Sequence, residues 1–326
     1  MPVARVCVIG GSGFIGRYVA EDLSDAGIAV TIPTRHRERA RFLMVLPTVE
    51  VVEADVHDAA ALSRVIHGCD AVINLAAVLH PEKRGGFERT NVELARKVAE
   101  ACVAAGVPRL IHMSALNADP DGPSQYLRSR GRGEAAVRDV VRNAPQLHVT
   151  MFRPSVVFGQ DDRFLNLFAA LVRRIPLIPL GSPEAKFQPI HVDDVARAVV
   201  ASLDNAATHG QTYPLCGPRV YTLRQLIDFV TAVLRKSRTV VGLGPRLSMF
   251  QAAVFERLPG RLVTRDNVLS MRRDSVCGCE FPAVFGFRPG TMESIVPEYL
   301  QGAVARGRYQ LFRQRSGRKS RVNDDL

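Results

Sequence analysis

The sequence predicts an α/β protein, a doubly wound parallel sheet with a smaller, discontinuous C-terminal α+β lobe. Three observations carry that expectation. Short β-branched runs alternate with amphipathic stretches through the first 155 residues, which implies parallel pairing through right-handed crossovers, with helices on both faces. A glycine-rich turn, Gly10-Gly11-Ser12-Gly13-Phe14-Ile15-Gly16, joins the first run to the first amphipathic stretch. After residue 155 the alternation loosens and proline becomes frequent.

RVCVIG reads as the first strand, and FIGRYVAEDLSDAG as a helix opening on the glycine turn. AVTIPT, VEVVEAD, AVINLAA, LIHMSA and LHVTMFRP follow as strands. Between them RERARFLMVL, AAALSRVIHG, FERTNVELARKVAEACVAAG and SQYLRSRGRGEAAVRDVVRNA carry helical periodicity. RRIPLIPLGSPEAKFQP then breaks the pattern, while RQLIDFVTAVLRK and TMESIVPEYLQGAVA read as isolated helices. HVDDVARAVVASLDN is expected to form a helix that returns to the main domain, capped by Asp193 and Asp194. The expected organisation is a main domain over 1–155 with a return helix near 191–204, a smaller lobe over 156–305 and a basic tail over 306–326.

At 326 residues and 47% hydrophobic, the chain can bury a core of ordinary size. Arg173 and Arg174 interrupt FLNLFAALVRRIPLIPL, the best candidate for an apolar span. The N-terminus enters a strand directly, without the charged start of a signal peptide. A cytoplasmic location is therefore expected, at most peripheral on the inner membrane. Of the six cysteines, three lie in apolar stretches, and core filling is the expected role. Cys277 and Cys279 form the one close pair, no second pair follows at zinc-finger spacing, and no metal is assigned.

The formal net charge is +11, and the end of the chain from Arg306 carries seven basic residues against two acidic ones. Such a run is either a solvated end or a surface that docks on anionic lipid or an acidic partner. Without an aromatic-studded basic module, nucleic acid is not expected. RLSMFQAAVFERLPGRL, 246–262, sets apolar residues at helical spacing beside basic ones and is read as a core-covering helix before a membrane-surface one.

The glycine spacing has a chemical logic. Gly10 permits a tight turn, Gly13 lets a pyrophosphate approach the backbone, and Gly16 allows close helix-to-strand packing. The helix that begins at Phe14 and Ile15 offers free N–H groups to the anion. In this context the motif points to a dinucleotide-binding Rossmann sheet. After the second strand comes Thr34-Arg35-His36-Arg37, with no carboxylate to favour an unmodified ribose. Arg35 either attracts a 2′-phosphate, favouring NADP(H) over NAD(H), or stacks on adenine without selecting. Asp55, next to Val56, is expected to accept from the adenine amine, and Asn74, Leu75, Ala76 and Ala77 to line a ribose.

GGSGFIG, the AD at 54–55, NLAA at 74–77, the serine of HMSA, YLRSR, FRPSVVFG and PIHVDDVA together resemble the extended and atypical short-chain dehydrogenase/reductase family. They cover most of residues 4–200. SALNADPDGPSQYLRSRGRGE and RDNVLS…FGFRPGTMESIVPEYL are most similar to the branch that includes the NADPH-binding accessory subunit of respiratory complex I. The resemblance extends cofactor contact to Pro154, Tyr126 and Arg130. It also implies a catalytic set, with Ser114 bonding a substrate oxygen, Tyr126 as acid/base and Arg130 where the family has lysine.

Residues 126 and 130, one turn apart, share a helix face, so the geometry of the pair survives the replacement. A free phenol titrates near ~10, and active family members use the neighbouring cation to bring it down. Arginine keeps the charge but is larger and cannot join a proton relay. Two readings stay open. One is a weakly active or inactive NADP(H)-binding accessory subunit that docks on a membrane-associated respiratory complex. The other is an active NADP-dependent oxidoreductase or epimerase on a carbonyl or quinone-like substrate, in which Tyr126 is the acid/base.

Overall fold

Alternate residues of the first strand leave in opposite directions and are buried on both sides. Val6 and Val8 enter one apolar cluster, while Cys7 and Ile9 enter another. A strand sealed on both faces belongs inside a layered α/β sheet. The computed structural model describes residues 2–79, 85–257 and 263–301.

The main sheet has seven strands: β1 (Arg5–Ile9), β2 (Ala29–Thr34), β3 (Val49–Glu53), β4 (Ala71–Asn74), β5 (Arg109–Met113), β6 (His148–Pro154) and β11 (Thr212–Leu215). Their spatial order is β11-β6-β5-β4-β1-β2-β3, and every pair is parallel. The order reverses between β1 and β4, the position at which doubly wound sheets open a crevice beyond the strands' C-terminal ends. β11 was hidden in the sequence. It is four residues long, contains Pro214 and pairs only along its β6 edge, where a missing N–H is tolerated.

Helices α1 (Phe14–Asp25) and α6 (Val192–Ala201) cover one face, placing Val19, Leu23, Val195 and Val199 against Val8, Ile111 and Phe152. Helices α2 (Ala59–Ile66), α3 (Leu94–Ala104) and α4 (Gln125–Arg142) cover the other, through Leu62, Ile66, Val98, Cys102 and Val137. Two stretches read as helix take tighter or wider turns. Arg37–Leu43 winds as a 3₁₀ helix, and Glu88–Glu93 forms a π turn leading into α3.

The second lobe has its own apolar cluster, with Phe158, Phe168, Leu226, Val230, Met292 and Val296 at its centre. Its helices are α5 (Leu165–Arg174), α7 (Leu223–Val233), α8 (Pro245–Phe255), α9 (Arg265–Ser270) and α10 (Met292–Gln301). Short strand pairs tie them together: β7 (Val157–Phe158) with β10 (Ile190–His191), β9 (Lys186–Phe187) with β12 (Tyr221–Thr222), and β8 (Leu177–Gly181) with β13 (Thr239–Leu243). The lobe is interrupted by α6 and β11, both of which belong to the main sheet's layers. The basic tail and the end of the 246–262 segment lie outside the described residues.

Three expectations are corrected. Asp193 and Asp194 do not cap α6; His191 is the N-cap residue, and the two aspartates occupy the first turn, where they still oppose the helix dipole. Asp194 instead accepts from Gly290 N at 2.8 Å. Core filling holds for the buried Cys7, Cys69 and Cys102 but not for Cys216 and Cys277, which form a disulfide across 61 residues, while Cys279 is exposed. That pairing depends on the chain's return to the sheet edge, which local sequence does not carry. Helix α8 covers the core only through Ser248 and Ala252; Leu247 and Phe250 are 58% and 68% exposed.

Candidate functional site

The strand order sets the loops after β2, β1, β4, β5 and β6 side by side along one edge, bringing together most of the residues singled out from the sequence. Gly10 has φ +82°, and a Cβ there would lie 2.9 Å from Ala76 N, so the β1 and β4 loops touch backbone to backbone. At Gly16 a Cβ would come within 2.5 Å of Gly10 O and Gly11 Cα, so α1 packs directly on the turn. Gly13 is the N-cap residue of α1; it makes no side-chain cap, and the first turn holds no acidic residue. Those free amides, at a helix start shaped by side-chain-free positions, form an anion cradle.

Arg35 is exposed just beyond β2. Asp55 is exposed too, and its carboxylate accepts from His57 N at 3.0 Å, shaping the loop after β3. Burial, then the positive field of Arg89, followed by Arg35 and Lys97, hold the His57 pKa below its ordinary value, against the pull of Asp55. Lys97 Nζ also donates to His57 O at 3.3 Å. Three cations, Arg35, Arg89 and Lys97, thus act on one point of this edge. Arg89 and Lys97 were not singled out from the sequence; they lie in another element, and only the tertiary fold brings them here.

The loop after β4 is pinned by two asparagines. Asn74 Oδ1 accepts from Ala76 N at 3.2 Å. Asn91, 1% exposed on the π turn, bonds both backbone groups of Val78 and donates to Ser129 Oγ at 2.9 Å. Ser129 Oγ donates in turn to Tyr126 O at 2.8 Å, linking this loop to the helix that carries Tyr126 and Arg130.

Ser114 follows β5, and its Oγ is buried without a hydrogen-bond partner among the described residues. Tyr126 is half-buried on the first turn of α4, its ring 6.4 Å from that of Phe87. Arg130, 2% exposed, donates through Nη2 to Met113 O, while its Nε and Nη1 are buried and unpartnered among the described residues. Burial lowers the Arg130 pKa, with Tyr126 and Glu134 opposing the shift. Below lies His112, fully buried and 3.4 Å from Asn74 Nδ2; burial, then Arg130 and Arg138, push its pKa down to about 3. Glu134 is occupied elsewhere, receiving Arg153 in a fork at 2.7 and 2.6 Å beside Pro154.

The second lobe reaches the same edge. Asp266 on α9 accepts from Gln125 N at 2.7 Å and Tyr126 N at 3.0 Å, so a carboxylate from 140 residues away caps the helix bearing the tyrosine. Ser270 Oγ donates to Ser124 Oγ at 2.8 Å, Arg273 pairs with Asp119 at 2.7 Å, and Ser155 Oγ donates to Ser275 O at 2.9 Å. Nothing local in RDNVLS marks Asp266 as a cap for another helix. One surface cavity of about 670 Å³ lies beside β3 and α2 and includes neither the glycine turn nor α4.

Residues 6–216 match the NAD dependent epimerase/dehydratase family. The chain is 30% identical over 227 residues to the mitochondrial NADH dehydrogenase (ubiquinone) 1 alpha subcomplex subunit 9 of Dictyostelium discoideum, covering 68% of this chain and 62% of that protein. Thus it spans less than two thirds of that relative's length. It is 28% identical over 310 residues to the NADH-ubiquinone oxidoreductase 40 kDa subunit of Neurospora crassa, covering 93% and 80% respectively. A ceramide reductase of Caulobacter vibrioides is 32% identical over 249 residues, 74% of this chain and 72% of that one. The solved dTDP-glucose 4,6-dehydratase DesIV of Streptomyces venezuelae, with NAD bound, superposes at a TM-score of 0.73 and 20% identity, covering 94% and 99%, which speaks to the fold alone. Fold, glycine turn and sequence agree that the chain belongs to the NAD dependent epimerase/dehydratase family.

Proposed function

We propose that the chain is a nicotinamide-dinucleotide-binding accessory or assembly subunit of a respiratory NADH:quinone oxidoreductase, holding NADP(H) in preference to NAD(H), with weak or no turnover. The observation that carries the binding is the pair of buried groups on Arg130 and Ser114 that lack partners among the described residues, close to the end of β5, two strands along the same sheet from the glycine turn. Buried polar atoms without partners are costly, and a ligand's ribose and carboxamide oxygens would satisfy them. When bound, the nucleotide supplies a hydride or accepts one. The α1 amides hold its diphosphate, Arg35 with Arg89 and Lys97 favours a 2′-phosphate, and Arg130 holds the nicotinamide ribose.

The accessory role is supported by the Dictyostelium and Neurospora relatives and by the guanidinium in place of the family's lysine. Arg130 is committed to Met113 O and cannot shuttle a proton. Docking on the assembly or on anionic membrane is supported by α8, where Leu247, Phe250 and Val254 form an exposed stripe flanked by Arg246 and Arg257. Among the described residues no helix is long and apolar enough to cross a membrane.

The second reading is a reductase, favoured by the relative named a ceramide reductase and by Ser114 and Tyr126 on the same edge. Purified protein titrated with NADPH and NADH, then challenged with carbonyl and quinone compounds, separates the two. NADPH binding without hydride loss is the expected result; turnover abolished in Tyr126→Phe establishes the reductase instead. Deleting residues 306–326 is expected to weaken association with anionic vesicles.

A further inference from the structure

A single segment, Thr264–Cys277, runs along the edge of the main sheet and bonds the start of the helix that carries Tyr126. Its near end is polar: Asp266 and Ser270 grip the start of α4, Arg273 pairs with Asp119, and Asn117 Nδ2 donates to Asp274 O at 2.9 Å. Its far end is knotted. Ser275 bonds Ser155, Lys186 and Gln188. Gln188 accepts from Cys277 N at 2.9 Å and donates to Gly217 O at 2.7 Å. Within that knot lies the disulfide from Cys277 to Cys216, the residue directly after β11. It is a covalent tie across 61 residues between the segment and the end of the sheet's edge strand, where the neighbouring contacts are hydrogen bonds.

Cys279 is exposed, free and two residues beyond Cys277. The other free cysteines cannot compete as nucleophiles. Cys7, Cys69 and Cys102 are buried at 0%, 7% and 0% exposure, and burial pushes their thiols up, that of Cys102 to about 12. Thiolates, not thiols, attack disulfides, so exchange from within the chain belongs to Cys279. Of the bonded sulfurs, Cys277 is half-buried and Cys216 only 4% exposed, making Cys277 the accessible target.

We propose that Cys216, Cys277 and Cys279 form a thiol–disulfide exchange site whose substrates are small or protein dithiols, and that its state sets how firmly the 264–277 segment covers the nicotinamide end of the nucleotide site. In the internal step the Cys279 thiolate attacks Cys277 Sγ, the bond to Cys216 breaks, and Cys216 leaves as a thiolate that takes up the proton Cys279 released; no electrons are gained or lost. In the reductive step one thiolate of a dithiol attacks Cys277 Sγ and Cys216 leaves. The dithiol's second thiolate then displaces Cys277, so two electrons and two protons pass to the protein and the dithiol becomes a disulfide. Either route frees Cys216 and removes the covalent tie between segment and sheet. Outside oxidising compartments, disulfides of this kind are typically transient and redox-sensing.

The second half of the proposal rests on the nucleotide reading above. The test equilibrates the full-length protein with glutathione mixtures from oxidised to reduced, and separately with dithiothreitol. Pairing is read by alkylation and peptide mass spectrometry, and NADPH affinity is measured on the same samples. The expected result is that opening of the 216–277 pair coincides with a loss of affinity of about fivefold or more, with a 277–279 linkage at intermediate mixtures that disappears in Cys279→Ser. Cys216→Ser is expected to show the weakened affinity in every mixture while keeping the wild-type circular dichroism. A 216–277 pair that never forms, or that survives dithiothreitol in the folded protein, overturns the exchange site. Equal affinity in the two states and in Cys216→Ser overturns the coupling. Absence of NADPH binding in both states overturns the nucleotide reading, whereas the peptide linkages alone decide the exchange chemistry.

Discussion

Arg35 and Arg130 stand at opposite ends of the same sheet edge and offer the same guanidinium in opposite settings. Arg35 is exposed, screened by water and salt, and free to swing. Arg130 is 2% exposed, fixed to a backbone carbonyl, and keeps two nitrogens out of water with no partner among the described residues. The difference separates two uses of charge. An exposed cation biases which ligand binds at little cost to the fold, whereas a buried one with unpaired donors is a standing cost that a ligand's acceptors can relieve.

The largest expected effect follows from that cost. Arg130→Met removes a buried charge with orphaned donors, so the unliganded protein should melt at or above the wild-type temperature. NADPH affinity should fall about 100-fold, the scale of a lost charged hydrogen-bond set. Thermal shift with and without NADPH checks both halves. A variant that loses stability and keeps its NADPH shift would mean that Arg130 serves the fold, and the contrast with Arg35 would dissolve.

The environment beneath Arg130 sharpens the contrast through pH. His112 resists protonation until about pH 3 in the folded chain, whereas an unfolded histidine takes up its proton near 6.5. Between those values the unfolded state binds the extra proton, so stability falls as pH drops through that window, by up to roughly 1.4 kcal/mol per unit. His112→Asn should flatten the slope of denaturation free energy against pH between 6 and 4.

Asp266 tests whether the second lobe serves the buried end alone. Asp266→Ala removes a two-point cap from α4 and should cost about 1 kcal/mol of stability. NADPH and NADH affinities should weaken together by a few-fold, leaving their ratio unchanged, because the change lies at Tyr126 and far along the edge from Arg35. Isothermal titration with both nucleotides reads that ratio.

The two ends also differ in how far the sequence revealed them. The glycine turn was legible because its requirements are local: Gly10 needs a positive φ, and Gly16 needs space that a Cβ would fill. Arg35 could be placed from its position after β2. At the other end, spacing put Tyr126 and Arg130 on one helix face, but nothing in YLRSR shows that Met113 O takes one guanidinium nitrogen and leaves two unpaired. Asp266 and the Cys216–Cys277 pair were beyond reach for the same reason: both arise where chain segments 140 and 61 residues apart return to one edge. Six strands were found through their β-branched alternation, and β11 was missed because an edge position permits a proline that pattern-reading takes as a break.

The smallest effect belongs to Arg35, and it is the one that tests the proposed cofactor choice. Its charge acts through water, so a single exposed ion pair with a 2′-phosphate is worth about 0.2–1 kcal/mol. Arg89 and Lys97 act on His57 in the same sense as Arg35, so removing one cation leaves the other two. Arg35→Ala should therefore reduce the NADPH:NADH affinity ratio only about two- to fivefold. Arg35→Asp should do more, because a carboxylate repels the phosphate and can accept from the ribose hydroxyls of NADH. Raising the ionic strength from 0.01 M to 1 M shrinks the screening length from about 30 Å to about 3 Å. The wild-type ratio should fall towards that of Arg35→Ala as salt is added, while the Arg130→Met defect should not respond. A ratio that responds to salt but not to Arg35 would assign Arg35 to adenine stacking and leave selection to Arg89 and Lys97.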